Sequence, residues 1–181
     1  QYVEQNIFGP LGMRSSFTVR AQAISSGFAS GHVYAFGFPI TSTLGGEPDR
    51  LPTAGLMSSA EDLSRFLAMF LQQGRTGSGQ FLRPETVRHI QTGGAPSDGF
   101  SYAFGWREGR IGGIRAVHHG GIVPDFRGKM VMLPDAGWGV VVLTNASSAI
   151  PWPLTPTSHR LADDIAARLV GRPLPPAESR H

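Results

Sequence analysis

Apolar residues recur at helical intervals in some stretches of the chain and at strand intervals in others. The clearest helix is predicted over residues 60–73, where Leu63, Phe66, Leu67, Phe70 and Leu71 line one face until Gly74. Ser58 and Ser59 stand ahead of Glu61 and Asp62 in capping-box spacing, a signal that opens a helix. A shorter helix is predicted over LRPETVRHIQTG, because Pro84 suits a first turn and Val87 and Ile90 share a face. A last helix is expected near the end, capped at Thr157 or Ser158, with Leu161, Ile165, Leu169 and Val170 on its apolar face and Gly171 and Pro173 as its stop. Residues 1–8 read as the final turns of a helix ending at Gly9-Pro10.

From residue 102 onward the period shortens. Tyr102 to Trp106, Ile111 to His119, Phe126 to Leu133 and Gly139 to Thr144 alternate or run together between Gly, Pro and Asp turns, which predicts four neighbouring antiparallel strands. The run Val140 to Leu143 suggests a strand covered on both faces, and the last helix is the expected cover. Leu11 to Pro52 shows no sustained period, with Phe28, Tyr34, Phe36 and Phe38 isolated in it. Such a length marks a functional loop, a covering flap, or strands too short for the pattern to reveal. Residues 173–181 are expected to be a frayed tail.

Composition narrows the classes. At 181 residues and 40% hydrophobic, the chain can bury one core, and 1–181 reads as a single domain or a large part of one. The net charge of +3 comes from fifteen arginines and one lysine, with no basic cluster interleaved with aromatics, so no nucleic-acid partner is expected. The absence of cysteine excludes disulfides, thiolate metal sites and a cysteine nucleophile. No run approaches the roughly 18 apolar residues of a membrane span. Localisation stays open.

Candidate chemistry gathers in AVHHGGIVPDFRGKMVMLPDAGWGVVVLTN, residues 116–145. Paired glycines let a ligand approach the backbone closely, and the histidines beside them donate, accept or hold a proton near neutral pH. Adjacent strand residues point to opposite faces, so at most one of His118 and His119 faces any cleft. The same alternation argues against a two-histidine metal site, and no metal is expected. His119-Gly120-Gly121 is also the beginning of a lipase-type oxyanion loop, but the Gly-x-Ser-x-Gly elbow which that reading needs is absent.

IFGPLGM at 7–13, TAGLMSSAEDLSRF at 53–66, YAFGW at 102–106, HHGG at 118–121 and VVVLTN at 140–145 occur in an order that resembles the serine β-lactamase-like hydrolases. That group includes class C β-lactamases, D-alanyl-D-alanine carboxypeptidases and related esterases. The resemblance implies a mixed α/β (α+β) fold, an antiparallel sheet flanked by helices, of the β-lactamase and penicillin-binding-protein type. The family builds its site from Ser-x-x-Lys, Tyr-x-Asn, and a strand motif that is Lys-Thr-Gly or His-x-Gly. Here His118 corresponds to the Lys, His119 to the Thr and Gly120 to the Gly, while the Gly121 N–H takes the oxyanion-hole position. The resemblance therefore makes His118 and Gly121 candidate catalytic residues, and His119 and Gly120 candidate substrate-binding residues.

The other two motifs are missing. The only lysine is Lys129, with Phe126 three residues before it, and Tyr2, Tyr34 and Tyr102 are followed two positions on by Glu4, Phe36 and Phe104. The resemblance thus implies the C-terminal portion of such a hydrolase, a partial domain lacking its nucleophile. A serine hydroxyl needs an adjacent base, and oxyanion donors alone stabilise charge that nothing has created. The expected partners are a small-molecule or peptide substrate and the missing N-terminal half of the catalytic domain; no cofactor is implied. An uncovered sheet edge or apolar patch would favour self-association. The alternative is a noncatalytic binding or complementing module.

Overall fold

A computed structural model describes residues 1–35, 38–42, 55–97, 100–148 and 158–172. The first described segments hold a π-helical turn at Glu4–Phe8, α1 (Arg20–Ser25), β1 (Gly31–Ala35) and β2 (Phe38–Ser42). Then come α2 (Ala60–Leu71), the short hairpin β3 (Arg75–Thr76) and β4 (Gly79–Gln80), and α3 (Pro84–Gln91). The strands β5 (Ala95–Ser97), β6 (Phe100–Tyr102), β7 (Arg107–Ile111), β8 (Ile114–Val123), β9 (Phe126–Leu133) and β10 (Trp138–Thr144) follow in order. β11 (Ala146–Ser148) and α4 (Ser158–Leu169) end the described part.

The six strands β5 to β10 pair antiparallel with their sequence neighbours in one sheet, ordered β10-β9-β8-β7-β6-β5. Helices lie on both of its faces, as the resemblance implied. On one face Leu67, Phe70, Val87 and Trp106 pack against Val117 and Met132; on the other, Ala162, Ala166 and Ala167 pack against Ala116, Val131 and Val140. Strand β10 serves both layers, because Val141 joins the first cluster while Val140 and Val142 join the second. Trp106 stacks on Phe66 at 6.3 Å and meets Phe70 edge-on at 5.4 Å, a geometry aromatic rings favour.

The local signals for α2 and α3 act as expected. Ser59 is the N-cap of α2 and its hydroxyl accepts the Asp62 N–H at 3.2 Å. Pro84 occupies the first turn of α3. Asp62 itself is 1% exposed and gathers donors from elsewhere: the Ser15 N–H at 2.6 Å, the Ser16 hydroxyl at 2.8 Å and the Arg65 guanidinium at 2.9 Å. It ties the chain after the π-helical turn to α2.

Several expectations need correction. The irregular stretch after Leu11 contains α1, β1 and β2, and β1 finds its parallel partner β11 far along the chain, a pairing no local period announces. The strand expected at Tyr102 to Trp106 ends at Tyr102; Ala103 donates to Trp106 O, and Gly105, at φ 77°, turns the chain. Ile111 to His119 is not one strand, because Gly112 and Gly113, at φ 58° and 79°, make a tight hairpin between β7 and β8. On α4 the buried residues are Ser158 and three alanines, with Ile165 and Val170 beside them, while Leu161 and Leu169 are 43% and 41% exposed. Small side chains let the helix axis approach the sheet, which rotates the leucines outward. Residues 43–54, including the start of TAGLM, Phe36, Thr157 and the expected tail 173–181 lie outside the described residues.

Removing the Asp62 carboxylate strands three donors around it. Asp62→Ala is expected to lower stability by about 2–3 kcal/mol. Ser64→Ala, which removes only an exposed hydroxyl bonded to Ala60 O, should change it by less than about 0.5 kcal/mol. Urea denaturation of the two variants tests this, and equal small effects would refute the anchoring role.

Candidate active site

The period of two along β8 sorts the predicted residues into two pairs. Ala116 packs toward α4 and Val117 toward α2, so His118 and Gly120 continue the α4 face while His119 and Gly121 continue the other. In register, His118 lies between Arg107 of β7 and Val131 of β9, and Gly120 lies opposite Lys129. The pairing with β7 stops at His118. Beyond it, among the described strands only β9 pairs with residues 119–123, so one edge of β8 there is open.

His118 is half-buried, and its Nδ1 has no hydrogen-bond partner among the described residues. Burial first, then the charge of Lys129, pushes the His118 imidazole down to about 4, with Asp163 opposing and Arg107 and His119 adding to the effect. At neutral pH this ring carries no charge. The His119 Nε2 lies 3.0 Å from the Tyr102 hydroxyl, the two rings meeting edge to face. Burial and then Arg107 hold His119 below the usual histidine range. The Arg107 guanidinium sits 4.9 Å from the Phe100 ring centroid and 5.7 Å from that of Tyr102, within cation–π range. Its Nε finds no partner among the described residues.

The two glycines differ. A Cβ on Gly120 would overlap the imidazole of His159 from the first turn of α4, whereas a Cβ on Gly121 would meet nothing within 4 Å. Gly120 thus packs closely under the His159 ring, and Gly121 borders open space. On the same side of the sheet, both carboxylate oxygens of Asp163 accept from the Lys129 ammonium, at 2.6 and 2.7 Å. His159 is also held below the usual range, by burial first and then by Lys129.

The structure therefore brings His118, His119, Gly120 and Gly121 to one strand segment but directs them to opposite faces. Sequence reasoning did not find Tyr102, Arg107, His159 or the Lys129–Asp163 pair around them. One signal was available: a chain that uses arginine fifteen times places its single lysine directly opposite Gly120. Among the described residues no group of three or more His, Asp or Glu side chains is arranged to hold a metal ion. No described helix is long and apolar enough to cross a membrane.

A family model described as Beta-lactamase matches residues 1–162. No curated protein matches the chain. Among solved structures, the octameric penicillin-binding protein homologue from Pyrococcus abyssi is 24% identical, with a TM-score of 0.77, over 95% of this chain and 37% of its own. The class C beta-lactamase from Rhodobacter sphaeroides is 19% identical, with a TM-score of 0.70, over 94% of this chain and 54% of its own. The penicillin-binding protein from Bacillus halodurans is 20% identical, with a TM-score of 0.69, over 93% of this chain and 48% of its own. The chain spans about half the length of these structures or less, and at such identities the likeness is one of fold.

Two outcomes are expected from this geometry. Gly120→Ala should cost about 1–3 kcal/mol by overpacking, with the loss largely relieved in a Gly120→Ala, His159→Ala double variant, while Gly121→Ala should be near neutral. Thermal denaturation reads all three, and an unrelieved loss would show that the clash lies elsewhere. The second concerns pH. The unfolded chain takes up the His118 proton near pH 6.5, the folded chain only near 4. Stability should therefore fall as pH drops from about 6.5 toward 4, with His119 and His159 acting in the same direction. Denaturation midpoints across that range should slope less in His118→Gln; a slope identical to the parent's would remove His118 as a cause.

Proposed function

The chain belongs to the beta-lactamase family, and on that premise we propose that it supplies the third-motif strand of a serine hydrolase. The reaction of the complete protein is acyl transfer from an ester, amide or β-lactam to a serine, followed by hydrolysis. One observation carries the reading: β8 leaves its partner β7 just after His118, so that an approachable backbone at Gly121 opens next to a neutral imidazole with an unpartnered buried nitrogen.

In this reading each residue has a distinct task. The Gly121 N–H donates to the oxygen that becomes negative as the serine attacks, a kind of stabilisation commonly worth 10²–10³ in rate. His118, uncharged at neutral pH, accepts or relays a proton near the nucleophile as a general base. His119, held by the Tyr102 hydroxyl on the face opposite His118, meets substrate only around the open edge of the strand, and Gly120 keeps the strand close to α4. The Ser-x-x-Lys and Tyr-x-Asn motifs come from an upstream segment of the hydrolase, since neither occurs in residues 1–181. That same fact favours a second reading, in which this chain is a noncatalytic module that uses the strand to hold a ligand or to complement a partner. Self-association belongs with either reading, because among the described strands β10 pairs only with β9 and offers a sheet edge.

Intact-mass measurement with a fluorophosphonate probe tests the assignment. The 19.4 kDa chain alone should gain no adduct, because no activated serine is present. Adding a polypeptide that carries the two upstream motifs should produce an adduct on that polypeptide, and His118→Ala in this chain should slow labelling by about 10²–10⁴-fold. An adduct on the 181-residue chain itself would overturn the motif assignment. Labelling in trans that ignores His118→Ala would favour the noncatalytic module.

A further inference from the structure

We propose that Lys129 and Asp163 are positioning residues for the site strand: their ion pair fixes the first turn of α4 over Gly120 and supplies the local field in which His118 exchanges its proton. This rests on the reading of His118 as a site residue. Lys129 lies in the 116–145 stretch but outside its HHGG motif, and Asp163 lies outside the stretch.

The geometry is specific. Lys129 is 8% exposed, sits on the α4 face of β9 and faces Gly120 in register, two residue pairs beyond His118 and Val131. Its ammonium reaches both oxygens of Asp163. His159 stands one turn before Asp163 and shares its side of α4, and its ring fills the space above Gly120. The rest of the helix contact is mostly small: Ala162, Ala166 and Ala167 meet Ala116, Val131 and Val140, with Ile165 half-buried beside them. Small apolar residues hold a helix close but offer little relief to resist sliding or rotation. A buried ion pair is weak evidence for stability, and its best-attested use is to specify register. Here it supplies the directional contact that the alanines lack.

The charges facing His118 come from every neighbouring element. Arg107 approaches from β7, Lys129 from β9, Asp163 from α4 and His119 from the next position on β8. His159 stands over Gly120 on the same face. The two members of the pair act on His118 with opposite sign: the ammonium opposes a positive imidazole and the carboxylate favours one. A pair whose charges do not reach His118 would leave the ring unmoved when its halves are removed one at a time.

The test follows the His118 ring protons by NMR through pH in the full chain, with His118→Gln to assign the resonance. The parent should titrate near 4. Lys129→Met should raise the proton affinity of His118 by about tenfold, Asp163→Asn should lower it, and Lys129→Arg should leave it near the parent value. If Lys129→Met fails to fold, the Lys129→Arg and Asp163→Asn pair still decides the matter. Shifts in the same direction, or no shift in either variant, would overturn the proposal and leave the pair as a brace. The measurement needs no substrate, so it stands apart from the labelling experiment. Labelling that ignores His118 would defeat the functional reading while the titration still reports whether the pair governs that ring.

Discussion

A strand can present only every second residue to one side, and the alternation along β8 is the constraint on which the rest of the molecule depends. Ala116, His118 and Gly120 must meet one helical layer while Val117, His119 and Gly121 meet the other environment. The residue types on the two faces explain the layers that cover them. Toward α2 the sheet offers Val117 and Met132, and large partners fill the space, with Phe70 and Trp106 interlocked above them. Toward α4 it offers Ala116 and Gly120, whose small size requires a close helix, and α4 answers with alanines and with one imidazole.

Two carboxylates, Asp62 buried and Asp163 half-buried, organise polar chemistry in different ways. Asp62 is fully surrounded by donors from the early chain and from its own helix, and it works as a local anchor. Asp163 accepts from the Lys129 ammonium and spans helix and sheet. The first holds the chain that leads into α2; the second holds the layer behind the glycines. Beside that layer the edge of the site strand past His118 stays open.

Much of this was legible in the residue pattern, and the exceptions share a cause. α2 and α3 carry their own start signals, Ser59 and Pro84, and Phe126–Leu133 and Trp138–Thr144 carry strand composition that needs no distant help. The strands β1 and β2 do not, since their short runs are stabilised by β11, whose register with His32 begins at Ala146. The HHGG segment was visible as a motif. What surrounds it was not, because Tyr102, His159 and Asp163 reach it through the fold, and an apolar-stripe reading of the last helix gives weight to its leucines and none to its polar face. The leucines proved to be the exposed residues.

The small sheet joins parts of the chain that synthesis separates widely. Asn145 donates its side-chain amide to Ser30 O across 115 residues, next to the β1–β11 pairing. The large sheet, by contrast, grows through hairpins and turns between sequence neighbours, each of which closes a short loop. Loop-closure entropy and contact order rank these events in time: the meander from β5 to β10 can assemble by local steps, and β1 docks only after β11 has been delivered beside it. On the ribosome β1 has only β2 to pair with until almost the whole of the described sheet has emerged.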